Sequence, residues 1–184
     1  QARVPWADHY MVPSFVDLPV TGKNTELIPP ILRHQFLDIE PEKGEHILVY
    51  QTSYSDYDFS SVLRQVDAPM RVYGIRRDID EPVEDGNITW CPISEQQFIE
   101  DLRTARGVVA SPGFKLMSEA LHLGKPYFAI PIRGQFELIY NARYLDKLNY
   151  GTYGFRPSAQ DLSAFANRIP MYQRALEGYE PSGN

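Results

Sequence analysis

Four stretches of this sequence gather polar residues where a ligand can be held. The sharpest is Ser111-Pro112-Gly113-Phe114-Lys115, followed by Glu119. Gly113 lets the backbone approach a ligand closely, and the helix predicted after it offers unpaired N–H groups and the positive end of its dipole, which suits a phosphate. Glu119, about a helical turn later, can accept two hydrogen bonds from a ribose diol. The same residues also read as a tight turn at Gly113 and a solvated helix residue at Glu119. In the stretch Ile132-Arg133-Gly134-Gln135-Phe136-Glu137, Arg133 can bring charge to a diphosphate, and Gln135 and Glu137 can bind sugar hydroxyls. The bland reading there is a solvated charge pair before a helix. Asn141, just beyond, can hydrogen-bond the neighbouring loop and hold its shape, or lie exposed. Thr52-Ser53-Tyr54-Ser55-Asp56-Tyr57 supplies hydroxyls. Ser53 can donate to a phosphate, while Ser55 or Asp56 can cap the next helix. In Trp90-Cys91-Pro92-Ile93-Ser94, the Ile93 backbone can present its N–H and C=O to a base edge, and Ser94 with Gln97 fits a capping box.

Other chemistries lack their residues. The loop at 52–57 matches neither GxGxxG nor the P-loop, which disfavours a nicotinamide-cofactor site and a Walker NTPase. His9, His34, His46 and His122 are scattered without metal-ligand spacing. Ser111 and Ser118 lack the GxSxG elbow of a hydrolase. Cys91 is the single cysteine, so no intrachain disulfide or multi-cysteine metal site exists, and it reads as a small buried hydrophobe. The 18 basic and 24 acidic residues give a net charge of −6, which argues against a general nucleic-acid or anionic-membrane binder. No apolar run approaches a membrane span, and a basic-then-apolar leader is not found. A cytoplasmic protein is expected.

The elements that must position these loops alternate in type. Apolar, β-rich runs at 46–53, 70–75, 87–93, 107–111, 126–132 and 151–155 predict six strands. Between them, 59–67, 95–105, 115–124 and 136–148 carry helical spacing. Two further helical pieces come after them at 158–169, opened by Ser158 as N-cap, and at 171–179. Such alternation implies an α/β, Rossmann-like doubly wound parallel sheet of about six strands with helices on both faces. Ligands then bind outside the carboxyl ends of the strands, where the four stretches lie.

The first 45 residues differ. Pro5, Pro13, Pro19, Pro29, Pro30 and Pro41 interrupt any sustained period. Yet Trp6, Tyr10, Met11, Phe15, Val16 and Leu18 are too many apolar groups for a solvated linker. The spacing predicts an extended segment laid against a surface, whether inside this chain's 184 residues or beyond them.

Taken in order, Ser-Pro-Gly-Phe-Lys-x-x-Ser-Glu, then Gly-Lys-Pro, then Ile-Pro-Ile-x-Gly-Gln-Phe-Glu-x-x-x-Asn-Ala resembles the C-terminal half of GT-B glycosyltransferases. The likeness is greatest to family 28, which holds the bacterial GlcNAc transferase of peptidoglycan synthesis. It runs from about Pro29 to Arg168, with its specific core at 107–151. The resemblance implies a domain binding a nucleotide-sugar donor, usually UDP-linked. Glu119 would hold the ribose hydroxyls, Gly113, Phe114 and Lys115 would line the diphosphate, and Ile93 would pair with the uracil. Glu137 would contact the donor sugar, and Ser53 would sit near the phosphates. Leu138 replaces a usual Gln, the first loop is not glycine-rich, and Ser111 stands where plant-type members have His or Arg. Lys115 or Arg133 would then carry the phosphate contact.

By the same resemblance, residues 1–33 would be the end of an N-terminal domain plus the interdomain linker, and 34–184 the donor-binding domain. The reaction would be inverting and metal-independent, with no cofactor and no catalytic residue in this half. The acceptor site and catalytic base would lie in the N-terminal domain of the same protein or on a partner chain. This half would not turn over alone. A stand-alone donor subunit, a nucleotide-sugar epimerase and a non-catalytic interaction module are the alternatives on the same fold.

Overall fold

In a computed structural model, the protein is described over residues 7–16, 19–52 and 58–179. A small parallel pair, β1 (Tyr10–Pro13) and β2 (Thr25–Ile28), comes first, then a single 3-10 turn at His34–Phe36. The remaining elements are β3 (Ile47–Tyr50), α1 (Phe59–Leu63), β4 (Met70–Tyr73), β5 (Val83–Asp85), β6 (Ile88–Cys91), α2 (Glu95–Thr104), β7 (Gly107–Ala110), α3 (Phe114–His122), β8 (Tyr127–Ala129), α4 (Phe136–Lys147), β9 (Gly151–Tyr153) and α5 (Ala159–Leu176).

Seven strands form one sheet in the order β5-β6-β4-β3-β7-β8-β9. Every pair is parallel except β5 with β6. Because successive side chains point to opposite faces, Leu48, Val108, Ala110, Tyr127 and Ala129 pack towards α2, α3 and α4. Ile47, Val49, Val109 and Phe128 pack towards α1 and α5. Both faces are covered, which is why these strands read as continuous apolar runs rather than alternating ones.

Three features depart from the sequence expectation, and a fourth settles a point it left open. β5 adds an antiparallel edge strand, joined to β6 by the two-residue loop Gly86-Asn87 with Gly86 in the left-handed region at φ 64°, as a hairpin turn with glycine at its first position requires. α1 is only Phe59–Leu63, shorter than the 59–67 stretch, and its cap is Asp58, which accepts from the Ser61 amide; Ser53, Ser55 and Asp56 lie outside the described residues. α5 runs unbroken through Pro170, whereas two pieces were expected. The first segment packs on this domain itself. Phe15, Val16 and Phe36 are buried in the α2/α3 core, while Met11, Val12, Val20 and Ile31 stay exposed. Trp6 and Leu18 lie outside the described residues.

Candidate functional site

The strand order reverses between β3 and β7, since the chain leaves β3 towards β4 and later returns to its other side. Beyond the carboxyl ends of these strands lies a crevice of about 600 Å³. Tyr50, Gln51 and Thr52 at the end of β3, Tyr73 at the end of β4, and Ile93, Ser94, Glu95 and Phe98 after β6 form one wall. Ser111, Gly113, Phe114, Lys115, Leu116 and Glu119 form the other, with Arg33 and Ile132. Phe98 meets the Tyr73 and Tyr50 rings edge-on at centroid distances of 5.1 and 5.4 Å, which stiffens the aromatic wall.

The second wall is built on the start of α3. Gly113 is its N-cap, and no side chain caps the first turn. The leading N–H groups of α3 therefore point out of the helix with no partner from a cap. Gly113 sits at an ordinary φ of −64°, and a Cβ there would meet nothing within 4 Å. Glycine at this position keeps space open in front of the helix rather than satisfying backbone strain. The loop before it is held from two sides. Asn141 on α4, buried, donates through Nδ2 to the Pro112 carbonyl at 3.0 Å, and the Tyr127 hydroxyl donates to the Ser111 carbonyl at 2.8 Å. Of the two roles open for Asn141 in the sequence, the structure adopts the loop-holding one.

Glu119 reaches the crevice as its spacing predicts, but its side chain is only 1% exposed. Arg33, from the segment between β2 and the 3-10 turn, donates to it twice: Nε to Oε1 at 2.7 Å and Nη2 to Oε2 at 2.9 Å. Its third nitrogen, Nη1, donates to Glu95 at 2.6 Å. The Glu119 carboxylate raises the Arg33 guanidinium above its ordinary value, against the opposing effect of burial. The guanidinium also lies 4.9 Å from the centre of the buried Phe36 ring. Sequence reading missed Arg33: 86 positions separate it from Glu119, and its only local signal is a lone arginine closing a Pro-Pro segment.

Behind the aromatic wall, buried Asp101 on α2 accepts from the Tyr73 hydroxyl, from Arg71 and from Gln97. Burial first, then the hydrogen bond to Asp101, pushes the Tyr73 phenol far above its usual range, so it stays protonated and fixed. Ser94 caps α2 by accepting from the Gln97 amide; the expected box is only half made, because the Gln97 side chain turns to Asp101. Cys91 is buried and its thiol is pushed up by burial, which suits packing.

Of the ligand positions expected from sequence, Ile93, Ser111, Gly113, Phe114, Lys115 and Glu119 come together here. Arg133 instead lines an adjoining depression of about 340 Å³ that shares Gln51, Thr52 and Ile132 with the crevice. Gln135 and Glu137 are exposed at the start of α4 and line neither. Ser53 lies outside the described residues. Among the described residues no group of three or more His, Cys, Asp or Glu is placed to hold a metal ion, and no helix is long and apolar enough to cross a membrane.

The mostly parallel sheet flanked by helices matches the fold of domains in solved GT-B glycosyltransferases. The glycotransferase of kitacinnamycin superposes with a TM-score of 0.65 at 18% identity, covering 85% of this chain and 44% of its own. Arabidopsis thaliana UGT89C1, complexed with UDP-L-rhamnose, gives 0.62 at 16%, covering 84% and 42%. The glycosyltransferase VinC, in complex with dTDP, gives 0.55 at 13%, covering 81% and 39%. The sequence profile described as Glycosyl transferase family 1 matches residues 1–170, and the chain belongs to that family. It spans less than half the length of the three enzymes above. No curated protein sequence matches it.

Proposed function

We propose that the crevice binds a nucleoside diphosphate sugar, UDP-linked, and that this chain is the donor-binding half of an inverting, metal-independent glycosyltransferase. One observation carries the reading: the uncapped start of α3 at Gly113, the Glu119 carboxylate and the exposed residue Ile93 border one crevice at the switch point. The helix start and Lys115 receive the diphosphate. Glu119 takes the ribose hydroxyls, and Ile93, 73% exposed, pairs its N–H and C=O with the base edge. The bound UDP-L-rhamnose and dTDP of the two similar enzymes support a pyrimidine nucleotide. Ser111, Arg133, Gln135, Glu137 and Ser53 complete the proposed set around the phosphates and the sugar, in the arrangement of family 28.

In the reaction, an acceptor hydroxyl attacks the anomeric carbon from the face opposite the diphosphate. The new C–O bond forms as the bond to the diphosphate breaks, and a base takes the hydroxyl proton. This half stabilises the leaving diphosphate by fixed N–H dipoles and cations, which act without reorganising. The base and the acceptor site belong to an N-terminal domain or partner chain. Residues 1–33 are the end of that domain with its linker, and 34–184 form the donor domain. Calorimetric titration with UDP, GDP and dTDP tests this. Saturable UDP binding is expected, weakened by about 1–3 kcal/mol in Glu119→Ala, the scale of a lost hydrogen bond to a charged group. Failure of every nucleotide to bind would overturn it.

A further inference from the structure

Glu119 poses a difficulty for any ligand. Both of its oxygens already accept from one guanidinium, and the side chain is 1% exposed. A ribose diol cannot reach those oxygens while Arg33 stays in place. Arg33 is the more accessible partner, since it lies outside the sheet and its side chain is 24% exposed against 1% for Glu119. The 3-10 turn after it is anchored. Phe36 is fully buried, and the His122 ring on α3 bonds the Phe36 carbonyl at 3.2 Å. Arg33 can therefore turn out without unseating that turn.

We propose that Arg33 is an affinity-setting residue of the nucleotide crevice, a built-in competitor that occupies the ribose acid until a nucleotide displaces it. The inference rests on the nucleotide-binding reading of the crevice. Its consequence is a coupling: a ligand that binds only when Arg33 is turned out loses part of its binding free energy to that rearrangement. By reciprocity, nucleotide occupancy loosens residues 29–33 from α3. Glu95, itself largely exposed, is the third point of attachment, and it holds Arg33 in the closed position from the opposite wall of the crevice.

The test pairs two ligands with three variants. UDP and inorganic pyrophosphate are titrated calorimetrically into wild type, Arg33→Ala, Arg33→Lys and Glu95→Gln, each checked for folding by circular dichroism. Arg33→Ala is expected to bind UDP at least about fivefold tighter, the low end of coupling between sites. Pyrophosphate, which has no ribose, should be unaffected. Arg33→Lys, which cannot grip both carboxylate oxygens, and Glu95→Gln should fall between wild type and Arg33→Ala. If wild type binds UDP but Arg33→Ala binds it equally or more weakly, the competitor role is wrong and the nucleotide reading stands. If no variant binds UDP, both fall together. Should Arg33→Ala not fold, Glu95→Gln and Arg33→Lys decide alone, and unchanged or weaker UDP binding in both overturns the proposal.

Discussion

At the scale of single residues, the α3 loop owes its shape to a side chain that never faces the ligand space. Asn141 is buried on α4 and commits its amide to the Pro112 carbonyl. A buried carbonyl left without a donor costs about 1–3 kcal/mol. Asn141→Leu keeps the approximate volume and removes the donor, so urea denaturation should show a loss of that size. Nucleotide binding should weaken with it, because the positions of Ser111 and Gly113 are no longer fixed. A variant with wild-type stability would mean that the contact contributes little to the loop. Gly113, Lys115 and Glu119 were legible as a group because all three lie within seven consecutive positions, 113–119. Arg33 was not, because nothing local reveals that an arginine 86 residues away will reach the same carboxylate.

At the scale of elements, the strands were the readable part. Runs such as Ile47–Tyr50 and Gly107–Ala110 are too short and too apolar for anything but buried sheet once helices flank them. What escaped was punctuation. Pro170 was expected to end a helix, yet α5 passes through it for 18 residues. Leu162, Phe165, Ile169, Tyr172 and Leu176 continue one buried stripe across the proline, and packing of that stripe outweighs the one lost backbone bond. Pro170 itself faces solvent. Pro170→Ala should therefore sacrifice no packing and restore an amide donor to the turn before it. A gain of about 1–3 kcal/mol is expected, up to the full helix-interior penalty of proline, read as a higher midpoint in denaturant. An unchanged or lower midpoint would show that the helix is bent to fit the proline, so that a straight α5 no longer follows the sheet.

At the scale of the whole molecule, the described residues ahead of the sheet are tied to the domain through Phe15, Val16 and Phe36, and then through the residues that lead into β3. Their last stretch joins the end of α2 by backbone bonds from Glu42 to Arg103 and from Gly44 to Thr104. The next residue but one, His46, is half-buried and donates Nε2–H to the Asp101 carbonyl at 2.9 Å. That carbonyl belongs to the residue whose carboxylate fixes Tyr73 in the crevice wall, so one position links the start of the sheet, α2 and the site. Burial is the largest influence on His46, and the nearby positive charges of Arg71 and Lys125 add to it. Together they outweigh the hydrogen bond to the Asp101 carbonyl and the Asp101 charge, and hold the imidazole below its ordinary 6.5. In the unfolded chain the ring takes a proton near 6.5, whereas in the folded chain it does so only at lower pH. Between those values the unfolded state binds more protons, so stability falls as pH falls. The salt-bridged or capping carboxylates Asp85, Glu100 and Asp161 are held below their ordinary values, and their contributions stay intact until the pH drops below the ordinary glutamate value of 4.5. The interval from pH 6.5 down to 4.5 thus lies above the range where those three carboxylates lose their contributions, and comparison with a variant lacking the imidazole reads His46 within it. His46→Gln keeps an N–H donor for the Asp101 carbonyl and cannot be protonated. Its unfolding free energy, measured in urea across that interval, should decline less than that of the wild type. Parallel declines in the two proteins would mean that the folded His46 accepts its proton as readily as the unfolded one, and that burial at the start of β3 does not keep the ring neutral.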